Sequence, residues 1–135
     1  MFEYASSKGA ILQLIELLQT PLNELSFASC HIDLDEIERR FGERALSVET
    51  RQMMHARRKY LLPRGEVEFV RPMHNSEFCM HCTRLRLTPD GYLKPCLLRS
   101  DNLVELLSHL RAGEMDKARA AFDEAIARRE PFFRG

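Results

Sequence analysis

Residues 10–18 read AILQLIELL, a run interrupted only by Gln13 and Glu16. So apolar a run predicts a strand buried on both faces of a parallel sheet, because a half-exposed strand would alternate. Residues 2–8 before it read as the tail of a helix, with Gly9 as its stop. Helix followed by two-sided strand is the repeating step of an α/β fold, yet no second step of that kind follows. The segment therefore reads as the end of a sheet whose beginning is missing, and its strand is expected to lack a partner within the chain.

Working outward, residues 19–31 form an irregular connection around Pro21 and Asn23, and the expected boundary lies there. Asp33 with Glu36 makes a capping-box-like start to a short helix ending near Gly42. Stretches at 45–50, 55–62 and 66–71 read as strands, the last two joined across Pro63-Arg64-Gly65. A second hairpin turns at Pro89-Asp90-Gly91 between 84–88 and 92–95. Leu103, Leu106, Leu107 and Leu110 form one helical stripe, and Met115, Ala118, Phe122 and Ile126 another; both are expected to face the core. The fold class expected is α+β. A short N-terminal αβ remnant (1–30) precedes a small antiparallel-sheet domain with C-terminal helices (31–135).

The chain has 135 residues, 44% of them hydrophobic, enough for a real core, and no apolar run approaches a membrane span. The N-terminal MFEYASSKGA lacks the pattern of a secretory signal, so the thiols are read in a reducing, cytoplasmic setting. Formal charge is +0 overall, but residues 51–100 carry ten Lys/Arg against four acids. The basic half is also the cysteine half, which suits an anionic partner or a solvated face.

Residues 78–96, FCMHCTRLRLTPDGYLKPC, hold three of the four cysteines. Cys79 and Cys82 share one tight loop, and the hairpin is expected to return Cys96 beside them. Three thiolates are informative. A structural zinc site is normally closed by four ligands, whereas a [4Fe–4S] cluster held by three cysteines leaves an iron open. Zinc completed by His74, His81 or Cys30, or cysteines that merely pack, remain the alternatives. Arg84 and Arg86 are two apart, so on a strand they share a face and offer guanidinium forks to a phosphate or a base edge. Cys30, beside His31 in the connection, reads as a spare cysteine.

The stretch FCMHCTRLRLTPDGYLKPCLLR, preceded by VRPMHNSEF and followed by SDNLVELL, resembles the C-terminal region of the molybdenum cofactor biosynthesis protein A family. These are radical S-adenosylmethionine enzymes, the GTP 3′,8-cyclases, and the archaeal type is most similar. The resemblance implies that Cys79, Cys82 and Cys96 ligate a [4Fe–4S] cluster whose open iron binds the guanine of GTP. It also implies that Arg84 and Arg86 serve the substrate, and that residues 1–30 are the last helix and strand of an incomplete TIM-like barrel. In the family, that barrel carries a second [4Fe–4S] cluster and S-adenosylmethionine, whose radical joins ribose C3′ to guanine C8.

The departures from the pattern count too. The radical-generating CxxxCxxC is absent, so the chain reads as a fragment of a lyase that has no catalytic residue of its own and is inactive alone. Thr83 stands where Asn is usual, and PFFRG lacks the family's Gly-Gly tail. The expected partners are GTP, the N-terminal barrel, and a second copy of the chain through residues 2–18, with 21–29 as hinge; no membrane is expected. A zinc-binding interaction module and a basic nucleic-acid-binding domain are the competing functions. Against the latter, the aromatics of the basic segment are too sparse for a stacking platform.

Overall fold

The computed structural model describes residues 1–20 and 22–133. Pro21 of the expected hinge, and Arg134 and Gly135 of the tail, lie outside the described residues. In chain order the elements are α1 (Phe2–Ser7), β1 (Leu12–Ile15), α2 (Glu24–Cys30), α3 (Asp35–Gly42), β2 (Ser47–Arg51), β3 (Arg57–Leu62), β4 (Gly65–Val70), α4 (Ser76–Met80), β5 (Arg86–Leu87), β6 (Tyr92–Lys94), β7 (Val104–Glu105), α5 (Leu107–Arg111) and α6 (Met115–Ala127). They fall into two compact units, Met1–Cys82 with the tail from Phe133, and Thr83–Phe132.

The first unit is built on a four-stranded mixed sheet in the order β1-β4-β3-β2. The expectation that the strand in residues 10–18 lacks a partner is corrected here. β1 runs parallel to β4, with Leu12 opposite Val67 and Ile15 opposite Val70. Its other edge is open, and its burial alternates, with Leu12 and Leu14 inward and Gln13 and Ile15 outward. The apolar run is thus longer than the strand, and Ile11, Ile15 and Leu17 remain exposed.

β3 and β4 form the expected hairpin, Leu62 pairing with Gly65. A Cβ at Gly65 would meet Ser6 Oγ at 2.3 Å, so glycine is what lets α1 approach the turn. One sheet face carries Tyr60, Leu62, Val67 and Phe69, which pack with Leu34 and against Phe2, Leu12, Leu14, Ile37 and Phe41. The rings of Phe2, Phe41, Phe69 and Tyr60 meet edge to face in sequence, at centroid distances of 5.6, 5.9 and 5.6 Å.

The opposite face is polar. Gln13, Glu68 and Lys59 are register neighbours across β1, β4 and β3. Lys59 pairs with Glu49 at 2.9 Å and Glu66 at 3.4 Å. Glu68 is fully buried. Arg51 (2.9 Å), Arg57 (3.6 Å) and the Gln13 amide compensate it, without which so deep a carboxylate would be untenable.

Two local expectations change. Residues 19–31 are not wholly irregular: Asn23 accepts from the Thr20 N–H at 2.7 Å and donates to the Leu18 carbonyl at 2.9 Å, and α2 starts directly after it. The capping box of Asp33 and Glu36 does not form: α3 starts after Leu34 with no side-chain cap, Asp33 accepts only from the Asp35 N–H at 2.8 Å, and Glu36 turns to Arg39 at 2.8 Å.

The second unit is a three-stranded antiparallel sheet, β5-β6-β7, with α5 and α6. Its core is Leu93, Val104, Leu106, Ala118, Ala121 and Ala125, with Leu85 against it. The leucine stripe expected to be one helix is split, because Val104 pairs with Leu93 and Gly91 O takes the Leu106 and Leu107 N–H groups. α6 is present but turned from the expected stripe: Met115, Phe122 and Ile126 are exposed, and three alanines, Ala118, Ala121 and Ala125, face the core. Among the described residues no helix is long and apolar enough to cross a membrane.

Candidate cluster loop and basic pair

Cys79 and Cys82 lie at the end of the first unit, on and just after α4. The local sequence explains their placement. Asn75 caps α4, its side chain accepting from the Phe78 N–H at 3.0 Å and donating to the Arg71 carbonyl at 3.0 Å. The Asn75 carbonyl in turn accepts from the Cys79 N–H at 3.2 Å. The helix ends within two turns, and the Cys82 N–H donates to the Cys79 carbonyl at 3.2 Å. One turn therefore separates the two thiols, and both are half-buried and free.

Phe78, between the cap and the first cysteine, stacks on His55 with centroids 4.2 Å apart and planes inclined by 14°. His55 is buried and sits in the left-handed backbone region at φ 66. Its Nδ1 lies 3.5 Å from Arg57 Nη2. The composition of these residues is visible in the sequence, but their meeting is not, since 23 positions separate the two rings.

Beside this loop the first unit has a cleft of about 290 Å³, lined among others by Glu38, His55, Arg57, Arg58, Arg71 and Phe78. Glu38 is buried and accepts from Tyr60 Oη at 2.7 Å and Arg71 Nη1 at 3.0 Å. Burial, and then the Glu38 carboxylate, push the Tyr60 phenol above its ordinary value. With guanidiniums and carboxylates both present, the cleft has no single-sign field to draw a highly charged ligand.

In the second unit, Cys96 follows β6, half-buried and free. Arg86 is on β5 and Arg84 precedes it, exposed, with Leu85 between them turned to the core. The paired strand is shorter than the expected 84–88: it holds Arg86 and Leu87 alone, and Arg84 lies before it. Neither guanidinium makes an ion pair with a described residue, a property shared with other described arginines such as Arg40, Arg44 and Arg64. Two guanidiniums two residues apart, neither paired with a described residue, are available to an anion.

Cys30 is exposed at the end of α2, and its Sγ lies 3.8 Å from Ser29 Oγ. His74, near the cysteine loop in sequence, turns its ring to Phe133 at 4.9 Å. Among the described residues no three His, Cys, Asp or Glu side chains stand together as a ready-made metal site. The donor chemistry nonetheless fits an iron–sulfur group: three soft, half-buried thiols in no disulfide, two of them set one turn apart by a capped helix.

Residues 10–134 match the family described as Molybdenum Cofactor Synthesis C. The chain belongs to that family. It is 48% identical over 134 residues to a probable GTP 3′,8-cyclase of Methanothermobacter thermautotrophicus, covering 98% of this chain and 44% of that protein. It is 52% identical over 134 residues to a probable GTP 3′,8-cyclase of Methanocaldococcus jannaschii, covering 99% and 43%. A relative so named in Methanococcus maripaludis is 52% identical over 132 residues, covering 98% and 43%. No solved structure matches the chain. This member of the molybdenum cofactor synthesis family thus spans less than half the length of the curated relatives it matches.

Proposed function

We propose that the chain is the substrate-holding part of a GTP 3′,8-cyclase, in which Cys79, Cys82 and Cys96 bind a [4Fe–4S] cluster and Arg84 and Arg86 bind GTP. One observation carries the reading: a member of this family has three free, half-buried thiols and, between the second and third, two guanidiniums without ion-pair partners among the described residues. When bound, the cluster supplies an iron with an open coordination position for the guanine. The chain's own part is positioning. Arg84 and Arg86 supply fixed charge and fork-like donors to an anionic, acceptor-rich nucleotide, and holding two reacting centres in register is a large share of what such a cyclisation needs.

The radical itself would be generated elsewhere. No CxxxCxxC is present in these 135 residues, so S-adenosylmethionine and the second cluster belong to a radical-enzyme barrel, and the chain alone is inactive. Ile11, Ile15, Leu17, Leu22 and Leu25 are exposed along the N-terminal segment, an apolar surface of the kind a partner region covers. The open edge of β1 could take a barrel strand or, in the isolated chain, the β1 edge of a second copy.

Anaerobic equilibrium binding tests the reading. GTP is expected to bind the iron-reconstituted chain and to bind much more weakly after the iron is removed by chelation. Equal affinity with and without iron would contradict it, and so would a chain that takes up stoichiometric zinc in preference to iron.

A further inference from the structure

Glu68, Arg57, His55 and Phe78 form a continuous line of contacts from the middle of the first unit's sheet to the residue before Cys79. Glu68 is fully buried on the polar face of β4 and pairs with Arg57 at 3.6 Å. Arg57, itself buried on β3, reaches His55 Nδ1 at 3.5 Å. His55 lies against Phe78, centroids 4.2 Å apart. Phe78 is held from its other side, its N–H donating to Asn75 Oδ1 at 3.0 Å.

The local choices along this line run against local stability. His55 and Ala56 both adopt positive φ, 66° and 50°, which costs a non-glycine residue free energy. A carboxylate is buried where an apolar side chain would pack at lower desolvation cost. Costs of this kind persist where the surrounding structure enforces a particular side-chain position, and here the ring so positioned lies against Phe78, the residue before Cys79.

We infer that His55 is a positioning residue for the cluster loop: stacked on Phe78 and backed by Arg57 and Glu68, it fixes the corner from which the Cys79 and Cys82 thiolates are presented. The inference rests on the proposal that these cysteines hold an iron–sulfur cluster. It assigns the line of buried charge a purpose that folding alone does not need. Groups that orient metal ligands from outside the coordination shell change metal affinity by about 10- to 100-fold when replaced.

The experiment uses the 135-residue chain, reconstituted anaerobically with iron and sulfide, and measures iron release to a chelator alongside the electron paramagnetic resonance spectrum of the reduced protein. His55→Asn keeps a side chain tolerant of positive φ and removes the ring; His55→Phe keeps the ring. His55→Asn is expected to release iron about 10-fold faster with a broadened resonance, and His55→Phe to restore much of the wild-type behaviour. Tyr60→Phe, which lowers stability in the same unit on the other sheet face, serves as the control and is expected to release iron at the wild-type rate. Release from His55→Asn at the wild-type rate, or equally fast release from the Tyr60→Phe control, would overturn the positioning role. A wild-type chain that takes up no iron would instead remove the cluster proposal underneath it.

Discussion

The Tyr60 hydroxyl donates to Glu38 Oε1 at 2.7 Å, joining β3 to α3 between two buried side chains. Glu38 is held from a second direction by Arg71 Nη1 at 3.0 Å, so the carboxylate stays compensated if the phenol is lost. Tyr60→Phe is therefore expected to cost about 1.5–3 kcal/mol, the scale of a hydrogen bond to a charged group, measurable by urea denaturation at neutral pH. A smaller loss than 0.5 kcal/mol, the low end for any hydrogen bond, would mean that the bond contributes little.

The same pair fixes a pH dependence. The folded-state phenol titrates above its unfolded value, because burial, and then the adjacent carboxylate, disfavour the phenolate. Its contribution is accordingly complete below the unfolded value of about 10 and is lost as pH rises through the folded value. Stability is expected to fall on the alkaline side more steeply for the wild type than for Tyr60→Phe. Parallel alkaline limbs in the two proteins would contradict the assignment.

Gly91 carries φ +89, and a Cβ there would lie 2.3 Å from the Leu107 Cβ. Its carbonyl also accepts the N–H groups of Leu106 and Leu107 at 3.1 Å, where α5 begins. Gly91→Ala is expected to destabilise the second unit by about 2–4 kcal/mol, from backbone strain plus overpacking. Thermal melting checks this, and an unchanged transition would mean the turn relaxes without loss.

Arg84→Ala and Arg86→Ala are each expected to weaken GTP binding to the iron-loaded chain by about 1.5–3 kcal/mol, the worth of a charge-assisted hydrogen bond. Iron content should not change, because neither residue is a thiol donor. Wild-type affinity in the double variant would remove the pair from the site.

β1 offers one paired edge and one open edge, and Ile15 projects from it exposed. The isolated chain is expected to self-associate along that edge, and Ile15→Lys, an edge-blocking charge, to restore the monomer. Sedimentation velocity decides the matter; a monomeric parent chain would contradict it. Deleting residues 1–18 is not an equivalent test, since it also removes Phe2, Leu12 and Leu14 from the core packing.

Much of this was legible before the structure. Pro63-Arg64-Gly65 between apolar runs announced the β3–β4 turn, and Gly9, at φ 63, ended α1 as expected. The Pro89-Asp90-Gly91 turn could be read directly too, and β5 and β6 pair on either side of it. What escaped depended on distant partners. A strand whose residues lie 55 positions before their partners in β4 could not be matched to it by pattern, and the Leu103–Leu110 periodicity fits a helix as well as the strand-then-helix that Gly91 enforces. In α6 the larger apolar residues advertised the wrong face; of the expected stripe only Ala118 packs in the core, beside Ala121 and Ala125. Asn75 just ahead of a helix was a readable cap signal. The His55–Phe78 contact had no such local sign.

Iron stoichiometry in a cysteine series tests the central claim most directly. After anaerobic reconstitution, the wild-type chain is expected to carry about four irons, the content of one [4Fe–4S] cluster, with broad visible absorption. Cys79→Ser, Cys82→Ser and Cys96→Ser should each lose most of that iron, while Cys30→Ser, whose residue is exposed at the end of α2, should keep it. Iron retained by all three of the first variants, or lost equally from Cys30→Ser, would contradict a three-cysteine cluster with an open iron.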